Sequence, residues 1–161
     1  MVVGVAGLCV ELVFSGVAWA DLWRVNKEPN LEKRSKLALE NAHQALKAAR
    51  QAYDGGDLDT TRALLLEVEQ SVHLAEESLK KTGKNPRRSP KHFKRAEIDT
   101  RELLRRIDSF RDYVSFADRS MLDTVKTKIQ LARQSSHGNH GGQTKIKATS
   151  LQIGLLFGKP P

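Results

Sequence analysis

Apolar and polar residues alternate with a helical period over most of this chain. Between residues 30 and 53, small apolar residues recur at intervals of three and four, with Ala38, Ala42, Ala45 and Ala49 on one stripe. This spacing predicts an amphipathic helix of about 24 residues. Asn30 precedes it and is a good N-cap, because its side chain can accept hydrogen bonds from the first free amides. Small side chains on the stripe allow a neighbouring helix to approach closely.

The stretch YDGGDLD, from Tyr53 to Asp59, predicts a tight turn. Gly55 or Gly56 can adopt the left-handed conformation that ends a helix, and Asp57 can cap the next one. The second helix then carries a seam spaced by three and four, formed by Leu58, Thr61, Leu65, Val68, Val72, Ala75 and Leu79. Because the turn is short, the two helices are expected to form an antiparallel hairpin.

Ser89 followed by Pro90 predicts the start of a third helix, with a hydroxyl at the N-cap and proline at the first helical position. Apolar residues then recur by three and four as far as Val114. Beyond Val114 the apolar set shifts by one residue, which leaves two interpretations. One is a single helix of about 45 residues with a phase slip. The other is a break at Ser115–Asp118, a capping-box-like pair, followed by a fourth helix over residues 119–136.

Burial of the apolar seam favours the break. A continuous third helix would be about twice as long as either of the first two, so its far half would have no partner. The predicted fold is therefore an all-α antiparallel bundle of three to four helices, built on a long helical hairpin and covering residues 30–136. Residues 137–161 are rich in glycine and lose the helical period, and are expected to form a flexible tail.

The first 20 residues resemble a secretory signal peptide. They form an apolar run that ends in Ala18-Trp19-Ala20, and the chain turns polar at Asp21. Glu11 and the absence of an early Lys or Arg depart from that pattern, and a retained membrane anchor or a misplaced start codon are the alternatives. Cleavage after Ala20 would remove Cys9, the one cysteine, which is ordinary for a bacterial periplasmic or secreted protein. Residues 21–29 would then form a short leader.

The charge of the chain is unevenly distributed. Residues 80–111 contain twelve Lys or Arg and four acidic residues, a net +8, whereas residues 54–78 carry a net −6. One interpretation is that the acidic second helix and the basic third helix pair along their flanks, with little effect on stability. The other is that the loop and helix start form a contact surface for an anionic partner. The candidate partner-binding residues are Lys84, Arg87, Arg88, Lys91, Lys94 and Arg95.

Sequence motifs give no support for catalysis, a metal or a cofactor. No catalytic signature is present, and the acidic residues of the second helix mostly lie off its seam. His137 and His140 alone are too few ligands for a metal site. Nucleic acid is not an expected partner, because the basic segment has neither a phosphate-binding glycine loop nor a set of stacking aromatic residues. The chain is therefore predicted to be a non-catalytic exported protein that binds or scaffolds an envelope component, an anionic lipid or polyanion being the alternative partner.

A second alternative is a protein–protein interaction module. The stretch ALKAARQAYDGGDLDTTRALLLEVEQS, Ala45 to Ser71, resembles the helix–turn–helix of tetratricopeptide repeats in its alanine positions, its aromatic residue before the turn and its Gly-Asp turn. The resemblance covers one hairpin of about 27 residues and implies a protein–protein interaction module, with no repeat-family binding residue carried over. Such a module would use the helical seams, either to bind another helical protein or to form a homodimer.

Overall fold

The computed structural model describes residues 19–138, and side-chain environments within it for residues 22–134. This part of the chain forms an all-α bundle, as predicted. The helices are α1 (Trp19–Asn26), α2 (Leu31–Asp54), α3 (Leu58–Lys81), α4 (Pro90–Tyr113) and α5 (Arg119–Gly138), with a single 3₁₀ turn at Phe116–Asp118 between the last two. Helices α2, α3, α5 and α4 surround one core in that order, and α1 packs against α2 and α3.

The α2–α3 hairpin begins and ends where local sequence signals predict. Asn30 caps α2, its Oδ1 accepting hydrogen bonds of 3.0 Å from the amides of Glu32 and Lys33. Asp57 caps α3 by accepting from the amide of Thr60 at 2.9 Å. Close packing of α2 on α3 follows from the alanine stripe, since Ala38, Ala42, Ala45 and Ala49 are all at most 1% exposed.

Gly56 is the residue of the α2–α3 turn that requires glycine. Its φ is +78°, whereas Gly55 has φ −78° in the right-handed helical region. We expect Gly56→Ala to lower the free energy of unfolding by about 1 kcal/mol, because a Cβ disfavours positive φ. Gly55→Ala is the matched control and should change it by less than about 0.5 kcal/mol, since its Cβ would meet only the carbonyl oxygens of Gln51 and Ala52, at 3.6 and 3.4 Å. Urea unfolding followed by circular dichroism measures both, and equal losses would contradict this assignment.

The predicted break between the third and fourth helices is confirmed at Ser115–Asp118. Ser115 Oγ donates to Asp118 Oδ2 at 2.6 Å, and the hydroxyl of Tyr53, at the far end of α2, donates to the same oxygen at 3.0 Å. The amide of Ser115 donates back to the Tyr53 hydroxyl at 2.9 Å. These hydrogen bonds hold the pKa of the Asp118 carboxyl below its usual range, that from Ser115 contributing most. They also join the α4–α5 connection to the end of α2, so the break is a tertiary junction as well as a local turn.

The core is built from the apolar seams that the periodicity indicates. Leu65, Val68 and Val72 of α3 are at most 1% exposed, as are Leu103, Ile107 and Phe110 of α4 and Leu122 and Ile129 of α5. Folding α5 back against α3 and α4 buries the shifted apolar set that follows the break. Burial of this apolar set is the reason why the sequence predicts two helices after Pro90 and not one long helix.

Helix α1 occupies most of the segment that the sequence predicted as a leader. It spans the expected cleavage point after Ala20, and Val25 is buried in the bundle core at 8% exposure. Residues 1–18 of the predicted signal peptide and residues 139–161 of the predicted tail lie outside the described residues. None of the helices in the described range is both long and apolar enough to cross a membrane.

Candidate functional site

The predicted basic residues surround the start of α4. Lys84, Arg87 and Arg88 lie in the connection from α3, and Lys91, Lys94 and Arg95 lie in the first two turns of α4. All six are exposed to solvent. The structure therefore places them on one continuous region of the surface, but it gives them different electrostatic surroundings.

Glu32, in the first turn of α2, fixes one edge of this region. Lys84 Nζ lies 2.7 Å from Glu32 Oε1, and His92 Nε2 lies 3.2 Å from Glu32 Oε2. The hydrogen bond from Lys84 holds the pKa of the Glu32 carboxyl below its usual range, with smaller contributions from His92 and Lys91. Lys84 is therefore paired within the chain, through an exposed contact that joins the connection to α2.

Four of the six predicted residues keep their charge available. Within the part of the chain that the structure describes, Arg87, Arg88, Lys91 and Lys94 make no ion pair, while Arg95 Nε lies 3.0 Å from Asp99 Oδ2, one turn along α4. Arg95 is thus partly compensated by its own helix. The available positive charge is concentrated at the end of the connection and in the first turn and a half of α4.

The N-terminus of α4 departs from the local rules that α2 and α3 follow. Its first turn has no acidic residue, and the side chain of Ser89 makes no capping hydrogen bond. Lys91 and Lys94 instead place positive charge near the positive end of the helix dipole, which is locally unfavourable. Departures of this kind from local preference are concentrated at functional sites in natural proteins.

The exposed side of α4 extends the basic region further than the sequence prediction did. Lys91, Lys94, Ile98, Arg101 and Arg105 are all exposed and follow one another by three or four residues, so they share a face. At 1.5 Å per residue, this face runs for about 21 Å. The density of positive charge in the sequence predicts the basic region only as far as Arg95, in the second turn of α4. The helical period adds Arg105. We call the surface formed by Arg87, Arg88, Lys91, Lys94, Arg95 and Arg105 the α4 basic face.

A shallow depression of about 400 Å³ at the start of α4 is not itself a good anion pocket. It is lined by Lys84, Lys91, His92 and Lys94, but also by the carboxylate-bearing Glu32. A small anion inside it would meet that carboxylate. The surrounding exposed cations are better suited to an extended anionic surface, which can contact several of them without entering the depression.

The expectation that acidic α3 and basic α4 pair along their flanks does not describe the arrangement. Helix α3 packs mainly on α2 and α5, and α4 packs mainly on α2 and α5, so the two helices lie across the bundle from each other. Arg101 and Arg106 pair with carboxylates one turn away on α4 itself. Glu69 of α3 pairs with Lys128 of α5 at 2.9 Å. The cations of α4 are therefore not mainly balanced by the acidic residues of α3.

The structure also contains an apolar groove that sequence reasoning missed. It has a volume of about 530 Å³ and is lined by α1, α3 and α5, and we call it the α3 groove. Glu67, which contributes to its lining, is 5% exposed and is an exception to the prediction that the acidic residues of α3 mostly lie off the seam. The groove was not predicted because α1 was not, and α1 forms one of its walls.

Residues 19–138 contain no group of three or more His, Cys, Asp or Glu side chains placed to hold a metal ion. Comparison of the chain with family models, with curated proteins and with solved structures finds no match in any of the three. The candidate site is therefore interpreted from its own geometry and charge.

Proposed function

We propose that this chain is a non-catalytic exported bacterial protein that binds an anionic component of the cell envelope through the α4 basic face. The observation that carries the proposal is the set of exposed cations without ion pairs, Arg87, Arg88, Lys91 and Lys94, at a helix start that has no acidic residue of its own. Each of these side chains can approach phosphate, sulfate or carboxylate groups without first breaking an ion pair inside the bundle.

The mechanism of binding is electrostatic attraction over an extended surface. Arg87 and Arg88 lead into Lys91 and Lys94, and Arg105 continues the same side of α4. Several exposed cations spaced along about 21 Å attract a polyanion or charged bilayer more strongly than a single phosphate, because their potentials add. Such attraction is screened within about 10 Å at 0.1 M salt, so affinity should fall steeply as salt rises.

The export part of the proposal is supported by residues 1–20, whose apolar run and Ala18-Trp19-Ala20 ending resemble a signal peptide. Removal of Cys9 with this segment would leave a mature chain without cysteine. An envelope location also supplies abundant anionic lipids and polysaccharides that suit the α4 basic face.

Charge reversal at the connection tests the proposed contact. We expect Arg87→Glu combined with Arg88→Glu to weaken binding to phosphatidylglycerol vesicles or to heparin by about thirtyfold or more at 0.1 M salt. Each surface cation contributes about 1 kcal/mol, or about fivefold, so the loss of two gives about thirtyfold and the added negative charges increase it. Vesicle co-sedimentation measures binding to the lipid surface, and heparin affinity chromatography measures binding to the soluble polyanion. Loss on vesicles alone identifies a lipid surface, and loss on heparin alone identifies a soluble polyanion.

The matched control is Lys36→Glu combined with Lys47→Glu on α2. Both lysines are exposed, and this double substitution changes the net charge by the same amount. Because screened charges act locally, the control should alter affinity by no more than about threefold. Equal losses for the two double variants would show a response to net charge alone and would contradict a specific role for the α4 basic face.

A further inference from the structure

The α3 groove has the shape of a helix-binding site. Its floor is the outer side of α3, where Ala63, Leu66, Gln70, His73 and Glu77 follow one another by three or four residues. This floor spans 15 residues, or about 21 Å from the first to the last at 1.5 Å per residue. Helices α1 and α5 form the two walls. A floor with helical spacing between two helical walls matches the surface that a further helix would cover.

Apolar side chains supply the contact area of the groove. Leu66 is 45% exposed on the floor, and Trp23 is 61% exposed on the α1 wall. Leu22, Leu74 and Ile129 also contribute to the lining. Exposed apolar residues that converge in a concave surface, unlike scattered ones, are typical of interaction sites.

Glu67 provides the polar element of the groove. Its Oε1 accepts a 2.8 Å hydrogen bond from Asn41 Nδ2, but its Oε2 is buried and has no hydrogen-bond partner among the described residues. A buried carboxylate oxygen without a donor is costly, and a donor from an incoming molecule would remove that cost. Glu67 is among the residues that line the groove, so its carboxyl lies next to the space that an incoming helix would occupy.

The charge of the lining indicates which donor fits. Glu67, Glu69 and Glu77 contribute to the lining, against Lys128 as its one Lys or Arg. Glu69 pairs with Lys128 and Glu77 pairs with Lys81, so Glu67 is the carboxyl of the lining that has no cationic partner among the described residues. A Lys or Arg side chain complements this surface and offers a charged donor to the buried carboxyl.

We infer that the α3 groove binds an amphipathic helix of a partner protein that carries one Lys or Arg within its apolar face. The apolar face covers Leu66 and Trp23, and the cationic side chain reaches Glu67.

A second copy of this chain fits the α3 groove less well than such a partner helix. The large apolar residues exposed on α4 and α5 of the described range are Ile98, Tyr113 and Leu131, which do not form a stripe able to fill the groove.

Three synthetic 18-residue helical peptides test this inference. They share one apolar stripe of Leu and Ala and differ at a single central position of that stripe, which is Lys, Leu or Glu. We expect the Lys peptide to bind the full chain at least about tenfold more tightly than the Glu peptide, because a charge-assisted hydrogen bond to a buried partner is gained. Fluorescence anisotropy of labelled peptides measures binding.

Variants of the chain separate the roles of the two kinds of contact. Glu67→Gln should reduce the preference for Lys over Glu to within about twofold. Glu40→Gln, at an exposed residue of α2 that does not line the groove, should leave it unchanged. Leu66→Asp should weaken all three peptides by about tenfold or more. Because Leu66 is 45% exposed, this variant should remain folded, which thermal melting by circular dichroism checks.

Several results would overturn the inference. They are equal affinity of the chain for the three peptides, no binding of any peptide, or the same response in Glu67→Gln and Glu40→Gln. Self-association in sedimentation that disappears in Leu66→Asp would assign the groove to a second copy instead of a partner helix. None of these outcomes depends on the α4 basic face, so the proposed polyanion contact is judged separately.

Discussion

Replacing Phe110 with alanine is expected to lower the free energy of unfolding by about 3–5 kcal/mol, because truncation of a buried aromatic ring removes its apolar burial and leaves a cavity. Phe110 is 1% exposed and belongs to the central seam of α4. Its ring also meets Tyr53 edge-on, with 5.8 Å between the ring centroids and 82° between the planes. The effect is a large fraction of the stability of a typical domain, so it should be clear in urea unfolding followed by circular dichroism.

Phe116→Ala is the matched control for that prediction. Phe116 lies six residues further along the chain in the 3₁₀ turn and is 87% exposed. The same atoms are removed, but from a side chain that is already in water, so the free energy of unfolding should change by less than about 0.5 kcal/mol. Similar losses at the two positions would mean that Phe110 is not in a packed core and would contradict the arrangement of α4 in the bundle.

Asn41→Leu is expected to have the second largest effect on stability. Asn41 Nδ2 donates to Glu67 Oε1 at 2.8 Å and to Ser71 Oγ at 2.9 Å, and the three residues are buried between α2 and α3. Leucine would remove the donor and leave the carboxyl of Glu67 buried without any partner. We expect a loss of about 3 kcal/mol in the free energy of unfolding, since an unpaired buried acidic group bears its full desolvation cost.

A second substitution distinguishes lost pairing from poor packing. Combining Asn41→Leu with Glu67→Met removes both partners, and apolar residues of similar size should restore most of the stability, to within about 1 kcal/mol of the original chain. A double-mutant cycle measured by urea unfolding gives the coupling between the two positions. If the losses of the two single variants simply add, the hydrogen bond between Asn41 and Glu67 is not the cause, and the prediction fails.

Features that depend on neighbouring residues in the chain could be predicted from the sequence. Asn30 and Asp57 cap their helices through hydrogen bonds to amides two or three residues away. The turn glycine and the Ser115–Asp118 pair are equally local. The break after Val114 is predicted because an apolar seam requires a partner that covers it. The structure confirms this break between α4 and α5.

The candidate site was only partly predictable, because charge density in a sequence does not show which charges are paired. Lys84 belongs to the same basic stretch as Arg87, yet it pairs with Glu32, which lies 52 residues earlier in the chain. Arg105 lies outside the stretch but shares the exposed side of α4. Helical period could have identified Arg105, whereas no local signal could have identified the partner of Lys84.

The sequence by itself determined helices α2 to α5, the caps of α2 and α3, and the hairpin, because these depend on the apolar period and on hydrogen bonds between residues a few positions apart. Only the tertiary structure decided the order of the helices around the core, the docking of α1, the burial of Glu67 and the set of cations left without ion pairs. Each of these depends on side chains that are distant in the chain and meet only when the helices pack. Both proposed binding surfaces, the α4 basic face and the α3 groove, depend on such contacts between distant residues.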